Sequence, residues 1–156
     1  MNKQTFITTS DKDTQKLGEE FALKLRPKDS VFLTGELGSG KTTFVKGIAE
    51  GLGITARIIS PTFMILRTHE VKSQKSKVKN ESQNSKIKRV YHLDLYRLDD
   101  TSDIKNLALD DLLNDPEAVT IIEWPEKIQS LNKKNYQILF EHRSKDSRKI
   151  TIEYGK

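Results

Sequence analysis

The chain has 156 residues, of which 35% are hydrophobic, and a net charge of +5. This length suits one domain with a single core, and the absence of cysteine excludes disulfide bonds, thiolate catalysis and cysteine-ligated zinc. The apolar runs are too short for a signal peptide or a membrane span, so we expect one domain over residues 1–156, in the cytoplasm.

The first third of the chain alternates between strand-like and helix-like patterns. Ser10 and Asp13 have the spacing of a capping box, and the apolar residues Leu17, Phe21 and Leu25 follow at helical intervals. The predicted elements are a strand at 5–9, a helix at about 12–25, a buried strand at 30–35 and a helix at 41–52.

The rest of the chain adds further predicted strands and one helix. These are a strand, bend and strand at 57–66, a strand at 90–98, a helix at 102–114, a strand at 118–124 and a hairpin at 135–154. Strands that alternate with helices indicate an α/β fold, and we predict a single domain with a central mixed sheet flanked by helices.

The positive charge of the chain is concentrated in one segment. From Arg67 to Arg89 there are eight basic and two acidic side chains, a net charge of +6, so the rest of the chain carries −1. Most of this stretch is rich in Lys, Ser, Gln and Asn, with almost no apolar side chain to offset the entropy of ordering. We therefore predict a basic, flexible loop at about 70–89, called the basic segment below.

Residues 35–42, GELGSGKT, match the phosphate-loop pattern G-x-x-x-x-G-K-[ST] at every fixed position. The motif follows a predicted strand and opens a predicted helix, which is the context of a P-loop NTPase. Glycines allow successive backbone N–H groups to surround phosphate oxygens, and the helix directs its positive end at the same anion. The residues predicted to bind ATP are Gly38, Ser39, Gly40, Lys41 at the β- and γ-phosphates, Thr42 through Mg²⁺, and Thr43 at the α-phosphate.

A P-loop needs a second Mg²⁺ anchor, usually an acid at the end of a neighbouring apolar strand. Glu123 ends the apolar run AVTIIE, and Asp94 lies inside YHLDLYR. An inward-facing Asp is costly unless it is paired, so Asp94 is either outward-facing or functional, and the pattern leaves both acids as candidates. The histidines His69, His92 and His142 have no ligand spacing and are interpreted as ordinary polar residues.

Four stretches, taken in order, resemble the bacterial TsaE (YjeE) family: GELGSGKTTF at 35–44, SPTF at 60–63, YHLDLYRL at 91–98 and IIEWPEK at 121–127. The resemblance covers about residues 9–154, and the last three stretches make it specific. It implies a small Mg²⁺-dependent ATPase required for threonylcarbamoyladenosine (t6A) modification of tRNA. The implied partners are TsaB and TsaD, whose complex handles the tRNA, and the ATPase is expected to be weak without them.

The resemblance also implies roles for individual residues. Lys41 corresponds to the loop lysine, Thr42 and Glu123 to the Mg²⁺ ligands, and Asp94 to the acid needed for hydrolysis. Ser60 and Thr62 fall in a switch-like loop near the γ-phosphate, so Thr62 is assigned to catalysis with Asp94 and Lys41. The weaker assignments are Asp11 near the adenine, the Ser147–Arg148 turn against the nucleotide, and Trp124 as either a core aromatic or a contact at the nucleotide or partner.

The chain departs from the family in the link between SPTF and HLDLYR, which is lengthened by the basic segment. The main alternative is a P-loop small-molecule kinase, but the polar insertion lacks the arginine-bearing, hinged lid of such enzymes. The second alternative is a nucleic-acid-binding module with a vestigial nucleotide site. The positive charge of the basic segment favours this alternative, but only weakly, because the segment contains no aromatic residue to stack on bases.

Overall fold

The computed structural model describes residues 2–59, 65–72, 86–98, 107–128 and 136–155. In these ranges the strands are β1 (Asn2–Thr8), β2 (Ser30–Gly35), β3 (Leu66–Glu70), β4 (Arg89–Asp94), β5 (Ala118–Glu123), β6 (Tyr136–His142) and β7 (Arg148–Tyr154). The helices are α1 (Asp11–Ala22), α2 (Lys41–Gly51) and α3 (Leu109–Asn114), with a 3₁₀ turn at Pro125–Lys127. No helix in the described part of the chain is long and apolar enough to cross a membrane.

The strands form one mixed sheet in the order β1-β7-β6-β2-β5-β4-β3. The central strand β2 is parallel to β5 and β6, and β4 is parallel to β5, whereas β1, β3 and β7 join antiparallel. The predicted fold, an α/β domain with a central mixed sheet, is therefore confirmed. Because β2, β4 and β5 run in the same direction, their carboxyl ends place Gly35, Asp94 and Glu123 along one edge of the sheet.

Two clusters of buried apolar side chains cover opposite faces of the sheet. Successive residues of β2 point to opposite faces, so Val31 and Leu33 pack with α1 and α2, while Phe32 packs with the cluster that includes α3. Helices α1 and α2 lie so close together that a Cβ at Gly47 would clash with the carbonyl oxygen of Gln15. The helix that follows the phosphate loop is thus fixed against both the sheet and α1.

The start of α1 has the predicted capping arrangement. Ser10 is extended, with φ of −156°, and its Oγ accepts a hydrogen bond from the Asp13 N–H at 3.1 Å. In return, Asp13 Oδ2 accepts from the Thr9 N–H at 3.1 Å. The first bond satisfies a backbone donor that the first turn of a helix leaves unpaired, and the second ties the residue before the cap to the helix.

Several predicted elements differ from the structure, among them the strand at 90–98, which ends at Asp94. Helix α1 ends at Ala22, before the predicted end at Leu25. Leu25 is nevertheless fully buried, because an apolar side chain packs into the core whether or not its backbone is helical. Residues 57–59 form no strand, so that prediction was wrong, and the predicted bend after them lies outside the described residues. The predicted helix at 102–114 is described from residue 107 and is helical over Leu109–Asn114.

The basic segment joins β3 to β4 at the edge of the sheet opposite the carboxyl ends of the parallel strands. Glu70 pairs with Arg89 across the two strands, and the Val71 N–H donates to the Lys88 carbonyl oxygen at 2.8 Å. Since β4 has six residues, this end lies about 16 Å from Asp94. Residues 73–85 lie outside the described residues, so the flexibility of the segment stays a prediction.

Candidate functional site

The loop between β2 and α2 has a backbone that favours glycine at two positions. Gly38 has φ of 75° and Gly40 has φ of 101°, in the left-handed region where other residues are strained. Ser39 between them is buried, and its N–H donates to the Glu36 carbonyl oxygen at 3.1 Å. Helix α2 begins directly afterwards at Lys41, so the unpaired N–H groups of its first turn lie beside the loop. This is the arrangement of an anion-binding cradle at a helix N-terminus.

Lys41 is the buried cation of this loop, with a relative exposure of only 5%. Its Nζ donates to the carbonyl oxygens of Gly35 at 2.6 Å and Glu36 at 2.9 Å. Burial lowers the pKa of Lys41, and the nearby carboxylates of Glu123 and Asp94 partly offset that shift. The ammonium group is thus held by neutral carbonyl groups and lies within the field of two acids.

Glu123, at the end of β5, is 3% exposed and faces the start of α2. Its Oε1 accepts a hydrogen bond from the Thr42 hydroxyl at 3.4 Å and lies 2.8 Å from Nε2 of His92. A hydroxyl and a carboxylate are the hard oxygen donors that Mg²⁺ prefers, and such sites complete their coordination with phosphates and water. The chemistry of this pair therefore fits the predicted Mg²⁺ ligands.

Asp94, at the end of β4, lies opposite Glu123 in the parallel register of β4 and β5. It is buried, and its Oδ1 accepts a hydrogen bond from the Tyr96 N–H at 3.0 Å. Its carboxylate also raises the pKa of Lys41. Of the two alternatives that the sequence left open, the structure therefore shows the inward-facing one.

Trp124 follows Glu123 in a left-handed backbone conformation, with φ of 60°. Its ring centroid lies 4.6 Å from Nζ of Lys41 and 4.9 Å from the ring of Tyr96. The indole also packs against the apolar cluster on the α3 side of the sheet. Trp124 therefore borders the core and also contacts the loop lysine, while a contact with the nucleotide or a partner stays a prediction.

The turn before β7 reaches the phosphate loop from another direction. Arg148 Nη2 donates to the Gly38 carbonyl oxygen at 3.3 Å, while Nη1 donates to three carbonyl oxygens of its own turn, those of Ser144, Lys145 and Ser147. Asp11 is exposed as the first residue of α1, and that helix approaches the loop at Thr14, beside Gly40. The predicted Ser147–Arg148 turn therefore contacts the loop, whereas Asp11 lies on the helix next to it.

The structure brings most of the predicted site residues to one edge of the sheet. Thr62 and its neighbour Ser60 lie outside the described residues, so their predicted roles stay predictions. The sequence interpretation missed His92, which is fully buried against Glu123. The signal for it was present, because residues two apart on a strand share a face and His92 lies two residues before Asp94.

A glycine-rich loop that joins a central parallel strand to a helix, and ends in a buried lysine, is the arrangement of P-loop nucleotide-binding proteins, and we assign the domain to that class. Residues 8–150 match the sequence profile described as threonylcarbamoyl adenosine biosynthesis protein TsaE. The chain belongs to the TsaE family.

Individual relatives and a solved structure agree with this assignment. The tRNA threonylcarbamoyladenosine biosynthesis protein TsaE of Bacillus subtilis (strain 168) is 34% identical over 97% of this chain and 86% of its own. The protein of the same name from Synechocystis sp. is 35% identical over 83% of this chain and 75% of its own. The crystal structure of YdiB from Bacillus subtilis superimposes with a TM-score of 0.73 at 29% identity, covering 99% of this chain and 87% of YdiB. The family resemblance predicted from the four motifs is confirmed.

Proposed function

We propose that the protein is a Mg²⁺-dependent ATP hydrolase that acts in the formation of threonylcarbamoyladenosine on tRNA. Membership of the TsaE family supports the role in tRNA modification. The observation that best supports ATP hydrolysis is the convergence of Lys41, Asp94 and Glu123 beside the phosphate loop. These side chains come from α2, β4 and β5, and both acids act on the pKa of the lysine.

Each residue has a separate role in this proposal. The N–H groups of Gly38, Ser39 and Gly40 bind phosphate oxygens, and Lys41 exchanges its bonds to loop carbonyl groups for bonds to the β- and γ-phosphates. Thr42 and Glu123 hold Mg²⁺, which when bound neutralises charge on the transferred phosphoryl group. Asp94 orients the attacking water. The remaining proposed contacts are Thr43 at the α-phosphate, Thr62 at the γ-phosphate, Asp11 at the adenine and Ser147 at the nucleotide.

We infer that hydrolysis acts on a complex of TsaB and TsaD, in the cytoplasm, and that the protein alone is a slow ATPase. Arg148 is engaged by four carbonyl oxygens, so it acts as an arginine finger only after rearrangement, and Arg97 is exposed. A positioned arginine contributes about 10³–10⁵ in rate. Assembly with the partners is therefore expected to supply or position the missing group.

A calorimetric titration with ATP and Mg²⁺, followed by assays of ADP and free phosphate with and without TsaB and TsaD, tests this proposal. We expect Mg²⁺-dependent binding, turnover well below ~10 s⁻¹ for the protein alone, and faster release of equal amounts of ADP and phosphate with the partners. A phosphorylated small molecule in place of free phosphate would support the kinase alternative. Nucleic-acid binding without ATP binding would support the vestigial-site alternative.

The basic segment supports a proposal about tRNA. Residues 70–89 carry a net charge of +5 and connect β3 to β4 at the amino ends of the parallel strands, and lysine side chains attract a phosphate backbone without reading its sequence. Replacement of residues 72–88 by a short Gly/Ser turn should leave ATP binding intact, because the phosphate loop lies at the opposite edge of the sheet. In the partner complex, tRNA affinity should fall and the log–log salt slope should become shallower by up to ~0.9 per lost phosphate contact. An unchanged salt slope would show that the segment is a surface insertion with no role in tRNA binding. If the variant instead binds TsaB and TsaD more weakly, the segment contacts an acidic patch on one of these partners.

A further inference from the structure

His92 is a fully buried histidine of β4 that carries none of the roles described so far. Its Nε2 lies 2.8 Å from Oε1 of Glu123, which is itself 3% exposed. The other hydrogen bond to the same oxygen, from the Thr42 hydroxyl, is longer at 3.4 Å. The imidazole therefore makes the shorter of the two contacts that orient this carboxylate.

The direction of this hydrogen bond follows from the chemistry of the two groups. A carboxylate only accepts, so the proton of the contact is on Nε2, and Nδ1 is left with a lone pair in the neutral ring. Nδ1 has no partner among the residues that the structure describes, and a buried acceptor without a partner is better tolerated than a buried donor. His92 thus donates a directed bond to Glu123 from the side of β4.

The bond from His92 also separates Glu123 from the loop lysine. Of the charged groups that raise the pKa of Lys41, the Glu123 carboxylate has the largest effect. The two groups therefore attract each other through a poorly hydrated space. Their hydrogen bonds nevertheless go elsewhere, with Lys41 bonded to loop carbonyl groups and Glu123 bonded to Thr42 and His92. A carboxylate released from His92 would be drawn towards Lys41, which would remove both groups from their tasks.

We propose that His92 is a positioning residue that holds the Glu123 carboxylate towards Thr42 and so sets the affinity of the ATP site for Mg²⁺. This inference rests on the proposed role of Glu123 as a Mg²⁺ ligand. It follows the general behaviour of metal sites, in which hydrogen bonds to a ligand fix its orientation and their loss typically lowers metal affinity about 10–100-fold. His92 acts through Glu123 and touches neither phosphate nor metal.

Two polar replacements separate this role from a general effect of packing. In His92→Gln the side-chain amide places a donor near the former Nε2, whereas in His92→Asn the amide lies near the former Nδ1 and does not reach Glu123. The matched control is His69→Asn, since His69 on the neighbouring strand β3 is also a buried histidine, and its Nε2 has no partner within the described part of the chain. Thermal unfolding of all three variants checks that the fold is retained.

The measurement is calorimetric binding of ATP to the full chain, first in EDTA and then over a series of Mg²⁺ concentrations. For His92→Asn we expect unchanged affinity in EDTA and a half-maximal Mg²⁺ concentration raised about 10–100-fold. His92→Gln should restore most of the parent value, and His69→Asn should match the parent. Equal Mg²⁺ curves for His92→Asn and the parent would overturn the inference, as would equal shifts in the Asn and Gln variants.

A further variant distinguishes failure of this inference from failure of the proposed function. Glu123→Gln removes the charge that is proposed to hold Mg²⁺ and should shift the same curve at least as far as His92→Asn. If Glu123→Gln shifts the curve but His92→Asn does not, the role of His92 is wrong and the metal role of Glu123 stands. If Glu123→Gln leaves the curve unchanged, the metal role itself is wrong.

Discussion

At their amino ends, strands β4 and β5 meet in a network in which charged groups bind each other. Arg89 donates to both carboxylate oxygens of Asp115, and the Tyr91 hydroxyl donates to Asp115 at 2.6 Å. Lys88 and Arg89 also form ion pairs with Glu117. At their carboxyl ends the same two strands bury Asp94 and Glu123 near Lys41, and there the charged groups are bound mainly by neutral ones.

The two ends of the strands differ in the partners of their charged side chains, which are ions at the amino ends and mainly neutral groups at the carboxyl ends. Lys41 is held by carbonyl groups, Glu123 by a hydroxyl and an imidazole, and Asp94 accepts from a backbone N–H. A buried charge that is held by dipoles keeps most of its attraction for an incoming ion, whereas a charge in a close ion pair has already been neutralised. This difference supports the proposal that the carboxyl ends bind an ionic ligand, whereas the ion pairs at the amino ends join neighbouring parts of the sheet.

Among substitutions that distinguish the two ends of the strands, the largest expected effect is on the rate of ATP hydrolysis. Asp94→Ala should lower the rate of ATP hydrolysis by about 10²–10⁴, the usual contribution of a group that orients or deprotonates water, and should leave ATP affinity within a few-fold of the parent. Phosphate release in the presence of TsaB and TsaD measures the rate. Asp115→Ala, at the other end of the same strands, is the control and should hydrolyse ATP normally. Parent-rate turnover by Asp94→Ala would remove Asp94 from the mechanism.

The next effect is on nucleotide affinity. Lys41→Met keeps the aliphatic part of the side chain but removes the charge, so it should lose charge-assisted hydrogen bonds to phosphate that together contribute about 3 kcal/mol, or about 100-fold in affinity. Calorimetry with ATP measures this loss. Lys88→Met, which removes an exposed lysine at the amino ends, should bind ATP as the parent does. Unchanged ATP affinity in Lys41→Met would contradict the assignment of the phosphate loop.

The third effect is on stability. Asp115→Ala removes the acceptor for Tyr91 and should lower the free energy of unfolding by about 2 kcal/mol in denaturant titrations. Burial acts to raise the pKa of Asp115, but hydrogen bonds from Tyr91 and Arg89 outweigh it and hold the pKa below its ordinary 3.8. The unfolded chain therefore takes up this proton at higher pH than the folded protein, so the contribution is present at neutral pH and is lost as the pH falls below 3.8 and through the lower pKa of the folded protein.

Comparison of the acid sensitivity of the two proteins checks this assignment. The parent should lose stability more steeply than Asp115→Ala as the pH is lowered from 5 to 3. Parallel losses in the two proteins would show that another carboxyl group causes the acid sensitivity.

The smallest expected effect is spectroscopic. Trp124 is the only tryptophan of the chain, and its ring lies 4.6 Å from the Lys41 ammonium. Binding of ATP should draw the ammonium towards phosphate and away from the ring, so the emission of the protein should change with the same midpoint as the calorimetric titration. The tryptophan emission of Lys41→Met should stay constant over the ATP concentrations that saturate the parent but do not bind the variant. A parent emission that stays constant through saturation would show that Lys41 does not leave the indole.

Features coded by short stretches of sequence were predictable, and features formed between distant stretches were not. The phosphate loop, the cap at Ser10 and the hairpin of β6 and β7 each depend on neighbouring residues, so their patterns were sufficient. The pairing of Arg89 with Asp115 joins residues 26 positions apart, and nothing in either stretch indicates the other. The wrong strand at 57–59 has the apolar, β-branched composition of a strand, but none of the described strands pairs with it.

The candidate site shows the same limit. Glu123 and Asp94 were predicted because each lies in a recognisable motif, but their joint position near Lys41 depends on the register of β4 against β5. His92 was interpreted as an ordinary polar residue, because its place two residues before Asp94 indicates a shared face but does not indicate a partner. Its partner is 31 positions away, and only the sheet brings the two together.

The crossing from β3 to β4 has a practical consequence for anyone who needs to label or tether this protein. The chain leaves one strand and enters the next at the paired residues Glu70 and Arg89, which Val71 and Lys88 join by a further hydrogen bond. The separation of these end points is fixed by the sheet, so the number of residues between them is free to vary at little cost, since loop closure grows only slowly with length. A fluorophore, an epitope or a small domain inserted here would be attached about 16 Å from Asp94 and the candidate site.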